Sequence, residues 1–230
     1  RWAHCNNFGF HVWWHLALFQ LDRGNYTGVL ELYDTRIRAE ETDDYRDIAN
    51  AASLLLRLEC EGVDVGTRWE ELGALSAGRV EDGQLMFADL HYMLALIRTD
   101  RAGEAEALAA RIARDARTLD HDQHEVAAVA GLPAARGLVA FRAGAHETAL
   151  DDLTRALDTL PRIGGSHAQR DVFWRLTIEA ALRAGAHAKA EALLLRRLRE
   201  RGGAEDGYTA RRMEAIGLRR ADLAAGGCAA

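Results

Sequence analysis

The chain has 230 residues, with 29 Lys plus Arg against 35 Asp plus Glu, a net charge of −6, and 49% hydrophobic residues. This balance excludes a strongly basic nucleic-acid binder and a disordered chain, and no apolar run approaches the ~18 residues that span a bilayer. With no such run and no charged stretch ahead of an apolar one at the start, a cytosolic location is expected; Cys5, Cys60 and Cys228 stand far apart without CxxC spacing, which argues against a disulfide framework or a thiolate zinc site. Lys189 is the only lysine, so the basic charge is almost all arginine, which reads as GC-rich codon usage before any functional meaning.

Apolar residues recur at helical rather than alternating spacing, and only Pro133 and Pro161 interrupt the chain, so the fold class is all-α. In chain order, the pattern predicts helices over 8–22 and 26–38, 45–61 and 67–76, 83–98 and 103–118, 124–143 and 146–160, and 167–183 and 186–201. A further helix follows over 205–223. Each pair is a helical hairpin, and Gly24, Gly62, Gly103, Gly144 and Gly185, separated by 38, 41, 41 and 41 residues, are expected to close the first helix of each. Glycine suits that position because a tight helix end calls for a left-handed residue.

The hairpins are expected to stack. Ala149, Leu150, Leu153, Ala156, Leu157 and Leu160 make an i, i+3, i+4 stripe opposite Asp151, Asp152, Arg155 and Asp158, and one hairpin cannot cover that stripe alone. Small residues five places after two glycines, Ala149 and Ala190, allow close helix approach. The second unit departs from the pattern, with Gly62-Val-Asp-Val-Gly66 ahead of Arg68-Trp69. The expected architecture is an α-solenoid of about five hairpins plus a C-terminal helix, one domain over 1–224 with a flexible tail at 225–230. The opening segment, with Trp2, Phe8, Phe10, Trp13 and Trp14, is too apolar for a capping repeat, so the chain reads as the second half of a longer solenoid.

Several ordered motifs carry a family resemblance. They are His11-Val-Trp-Trp-His15-Leu-Ala-Leu followed by Arg23-Gly24 and Leu32-Tyr33-Asp34, then Leu58-Glu-Cys-Glu-Gly62-Val-Asp-Val-Gly66-Thr-Arg-Trp69, Phe87-Ala-Asp89-Leu-His91, and Gly164-Gly-Ser-His-Ala-Gln-Arg-Asp-Val-Phe173. From about His4 to Leu218 the chain resembles the tetratricopeptide repeat protein 38 family. The resemblance implies a right-handed superhelix of tetratricopeptide-like hairpins, preceded in full-length members by a further helical half. The period near 41 exceeds the 34 residues of the standard repeat, so the standard peptide groove is not implied.

His11 and His15 are four apart on one helix, one turn from each other on the same face, a spacing that suits a shared divalent metal. They suit better two histidines packed beside Trp13 and Trp14 and bonded to a neighbouring hairpin, since Val12 occupies the place where an HExxH motif would carry its glutamate. Counted back from the closing glycines, His11, Asp47, Asp89 and Asp171 fall at similar heights, so a polar ladder across the first helices is expected. His11, His15, Asp47 and His91 form its candidate metal set. Bland readings stand beside these. Asp44 caps a helix with Asp47 in its first turn, and Ser166 with Gln169 makes a capping box, which does not itself explain Arg170 and Asp171; they read as a first-turn pair or as holding the fourth hairpin against the fifth. His121 and His124 read as a solvated helix start, and Arg196, Arg197, Arg199 and Arg201 as a solvated basic face.

No GxGxxG, P-loop or GxSxG pattern occurs. Three expectations follow. The first is a scaffold that binds a protein or peptide on its concave face, needing no cofactor, with His11, His15, Asp47, Asp89, His91, Gln169, Arg170 and Asp171 as recognition groups. The second is a metal-dependent hydrolase using His11, His15, Asp47, Asp89 and His91, with Arg170 on an anionic group. The third gives these residues a purely structural part. Neither nucleic acid nor membrane is expected as a partner.

Overall fold

A computed structural model describes residues 8–118 and 121–226, with side chains described as far as residue 217. Helix α1 (Phe8–Asp22) is followed by α2 (Tyr26–Leu32), which runs on through a π-helical turn at Tyr33–Ile37. Next come α3 (Tyr45–Cys60), α4 (Arg68–Ala77), α5 (Met86–Arg98) and α6 (Ala102–Thr118). Helices α7 (Asp122–Val126) and α8 (Leu132–Arg142) are joined by a second π-helical turn at Ala127–Gly131. They are followed by α9 (His146–Leu157) with a 3-10 turn at Leu160–Ile163, α10 (His167–Arg183), α11 (His187–Glu200) and α12 (Gly207–Gly226). Among the described residues there is no strand, and no helix is long and apolar enough to cross a membrane. Helix α12 includes residues 225 and 226 of the expected tail, whose remainder, like Trp2, His4 and Cys5, lies outside the described residues.

Four of the five expected closing glycines do what their chemistry allows. Gly24, Gly62, Gly144 and Gly185 take φ between 72° and 79°. In each case the following N–H reaches back five residues, as from Ala145 to the Ala140 carbonyl at 3.0 Å and from Ala186 to Ala181 at 2.9 Å. Gly103 does not close a helix; it sits in the first turn of α6. Its place is taken by Thr99, in extended conformation, whose hydroxyl donates to the Ala95 carbonyl at 3.0 Å and so satisfies a free end of α5 without a left-handed residue.

The first helices of the units form the interior. Every residue from Asp47 to Leu58 in α3, from Met86 to Ile97 in α5 and from Val172 to Ala181 in α10 is buried. A helix apolar on all sides is one enclosed on all sides, and these three are. The second helices bury one stripe each, and the six residues predicted for α9 and its following turn are all buried. Neighbouring hairpins pack as expected, with α1 on α3, α3 on α5, α5 on α8 and α9 on α10. Helix α3 also packs against α10, three units further on. Helix α12 meets both early units: the Gly207 N–H donates to Asp22 Oδ1 at 2.5 Å, and Arg211 Nε to Glu61 Oε2 at 2.8 Å. The row of hairpins therefore folds back so that its late units touch its early ones, and the central helices keep no long open face.

Helices α8 and α9 approach closely at Gly137, where an added Cβ would lie 3.0 Å from the Leu153 backbone nitrogen. Gly137→Ala is expected to destabilise the chain by about 1–3 kcal/mol. Gly103→Ala, in open space with ordinary backbone angles, is expected to be neutral or stabilising by up to ~1 kcal/mol. Urea unfolding of both variants beside the parent checks the pair.

Candidate functional site

The expected polar ladder divides into three places, because each residue of offset along a helix turns a side chain by ~100°. Residues equal in height need not share a direction.

The first place is a cavity of about 350 Å³ between α1, the N-terminal ends of α3, α5 and α10, and the Gly164-Gly165 turn. Phe8, Leu85, Phe87 and Ile163 give it apolar walls, and His11, Asp47, Asn50 and Gln169 its polar surface. Asp44 caps α3, as expected, accepting from the Arg46 N–H, and Arg46 turns back to hold Asp44 through Nε at 2.9 Å and Nη2 at 2.6 Å. Ser166 and Gln169 form the expected capping box on α10. Gly165, at φ 72°, lies against the Phe87 ring, where a Cβ would be 2.5 Å away; the turn needs glycine for both reasons.

A directed chain of hydrogen bonds lines the cavity. The Ser166 N–H donates to Gln169 Oε1 at 2.9 Å, and Gln169 Nε2 donates to Asn50 Oδ1 at 3.1 Å. Asn50 Nδ2 stands 3.2 Å from His11 Nδ1, and His11 Nε2 is 3.1 Å from His15 Nε2. An amide N–H facing Nδ1 makes that nitrogen an acceptor, so His11 carries its proton on Nε2 and donates to His15. Both imidazoles are therefore neutral here, and burial lowers both pKa values. Asp47 is 2% exposed. Among the described residues its carboxylate takes one hydrogen bond, from Thr42 Oγ1 at 2.7 Å, and no ion pair. Burial raises its pKa against that bond.

The second place holds Asp89 and His91, both apart from that cavity surface. Asp89 is 1% exposed and lies 2.6 Å from Arg111 Nη2, beneath a separate cavity of about 300 Å³ between the start of α3 and the start of α5. Burial raises its pKa in spite of the arginine. His91 is fully buried between the rings of Phe87 and Phe173, and its Nδ1–H donates to the Phe87 carbonyl at 2.7 Å. Burial lowers its pKa from 6.5 to about 4. The candidate metal set of His11, His15, Asp47 and His91 does not converge. His91 is shut behind Phe87, the His11–His15 contact occupies the lone pair a metal would take, and among the described residues no three His, Cys, Asp or Glu side chains gather around one point.

The third place is the other flank of α10. Arg170 donates to the Gly164 carbonyl at 3.0 Å and to the Gly165 carbonyl, pinning the turn. Asp171 accepts from Arg175 Nε at 2.9 Å and Arg197 Nε at 2.6 Å, with Arg57 3.9 Å away. Arg197 continues to Asp206 through Nη1 at 2.9 Å and Nη2 at 2.6 Å. Although burial works the other way, the surrounding guanidinium groups hold Asp171 and Asp206 well below the usual carboxylate range. Arg197 is 1% exposed, so the expectation of a solvated face over Arg196–Arg201 fails at this residue. It falls seven places after Ala190 and three or four after Leu193 and Leu194, on the buried stripe of α11, and that spacing was the signal. Arg57, inside the run Leu54–Leu58, carried the same one. His121 caps α7 as a helix start.

No protein-family model matches the chain, and no solved structure matches it.

Two outcomes test these assignments. Asp171→Ala leaves Arg57, Arg175 and Arg197 short of a counter-charge in the interior and is expected to cost about 3–5 kcal/mol, read from denaturant unfolding. The unfolded chain takes up a proton at His91 near pH 6.5 and the folded chain only near 4, so stability is lost as pH falls across that window. The cost of His91→Gln relative to the parent should accordingly shrink between pH 7 and pH 4.5, by about 2 kcal/mol.

Proposed function

We propose that this chain is a helical-repeat scaffold that binds a protein or peptide segment, and that the segment is received at the cavity between α1 and the starts of α3, α5 and α10. The observation that carries this reading is the set of polar groups left free there. Asn50 and Gln169 each spend one amide N–H on the chain of hydrogen bonds and keep a second, while Asp47 keeps acceptor capacity. Asp47 and Asn50, three apart on α3, share a face. Two donors and an acceptor fixed side by side, with apolar walls, match the carbonyl, N–H and side chain of a peptide unit.

A tight right-handed row of about five tetratricopeptide-like hairpins, membership of the tetratricopeptide repeat protein 38 family and a cytosolic location belong to the same proposal. The repeated glycine closures and the ordered motifs support the first two, and the spacing of the cysteines supports the third. The separation of the candidate metal donors favours binding over a metal-dependent hydrolase.

A displayed random-peptide library selected on the parent chain tests this. Peptides so obtained should lose at least tenfold in affinity for the double variant Asn50→Leu, Gln169→Leu, its fold checked by circular dichroism. Binders indifferent to both changes would move the site elsewhere.

A further inference from the structure

The charge balance around the cavity narrows the ligand further. Arg46 is held on Asp44 and lies over the Tyr45 ring, 5.7 Å from its centre. His11 is neutral in the hydrogen-bond chain. What remains without an ion pair among the described residues is Asp47, almost fully buried, with Arg38 and Arg46 acting on it only from a distance. A buried carboxylate in that condition costs free energy until a cation reaches it, and two of its neighbours at the cavity, Phe8 and Phe87, present aromatic rings that tolerate an ammonium group well. One helix turn along α3 and across to α10 stand the free amide N–H groups of Asn50 and Gln169, which call for a carbonyl oxygen. A cation and a carbonyl about one residue apart are what the first residue of a polypeptide carries. At about 350 Å³ the cavity lies near the lower end of small-ligand pockets, roughly 300–1,000 Å³, enough room for the end of a chain.

We propose that the cavity captures the free amino-terminus of a peptide. The α-ammonium group pairs with Asp47, the first carbonyl accepts from Asn50 and Gln169, and the first side chain lies among Phe8, Leu85, Phe87 and Ile163. This inference rests on the peptide-binding reading above. The shared chemistry, an α-ammonium group beside a carbonyl, also occurs in a free amino-acid amide, so the test includes one.

The full chain is titrated with fluorescent heptapeptides beginning with Leu, Phe, Ser, Lys or Glu, labelled at the C-terminus, each made with a free and with an acetylated N-terminus. Free peptides are expected to bind, and acetylation to weaken them at least tenfold. Asp47→Asn should weaken the free peptides and abolish the difference, whereas Glu147→Gln, at an exposed position, should change neither. The acetylation comparison on the parent stands even where Asp47→Asn fails to fold. Equal binding of free and acetylated peptides, lost in the Asn50→Leu variant, would overturn amino-terminal capture and leave the peptide-binding reading in place. Absence of all binding would overturn both. Leucinamide is expected to compete only at far higher concentration than the peptides; competition at equal concentration would replace the peptide by a small amine.

Discussion

Two carboxylates, Asp206 buried and Asp171 half-buried, fix where the central helices sit. Between them they gather Arg175 from α10 and Arg197 from α11, and Arg57 of α3 stands at the edge of the group while donating to the Ala168 carbonyl at 2.6 Å. Charges taken out of water are tolerated only where geometry is strict, and the planar guanidinium enforces strictness by meeting Asp206 with two nitrogens at once. Tyr208 of α12 lies among the guanidinium groups of Arg175, Arg197 and Arg212, 4.4, 5.3 and 4.7 Å from its ring centre. Elements distant in the chain are thereby set in one register. The distance between Asn50 on α3 and Gln169 on α10, on which the polar side of the cavity depends, follows from that register.

Gln169 shows how economically the site is assembled. As third residue of α10 it completes a capping box, which orients its carbonyl oxygen toward the Ser166 N–H. The amide nitrogen must then point outward, and Asn50 is there to accept from it. From that single orientation the donor and acceptor roles of Asn50, His11 and His15 follow in turn. A helix cap thus assigns the tautomer of a histidine on another helix.

Most of the fold was legible in the sequence because hairpin repetition is local. Apolar spacing and helix-ending glycines act within one or two turns, and the observed helices begin and end within a few residues of their expected limits. Gly103 misled because a threonine hydroxyl can satisfy the same free carbonyls. The site was less legible. The sequence carried the residues, and the capping box and the N-cap at Asp44 were read from spacing alone, but the direction of each side chain depends on rotation about its helix axis. Errors of one residue in alignment sent Asp89 and His91 to the interior and Asp171 to another flank. The packing of α3 against α10 had no local signature. It rests on arginines whose place on apolar stripes marked them as buried while their charge marked them as exposed.

The return of α12 to the ends of α1 and α3 changes the kind of object the chain is. In an open row of repeats each unit answers only to its neighbours, so terminal units fray first and unfolding spreads inward as along a one-dimensional lattice. Here Gly207 is tied to Asp22 across 185 residues of chain, and Arg211 to Glu61 across 150. Such ties close only after a long loop has been ordered, which places them late in folding. Once closed, they couple the last described helix to the first two units, so that loosening at one end is felt at the other.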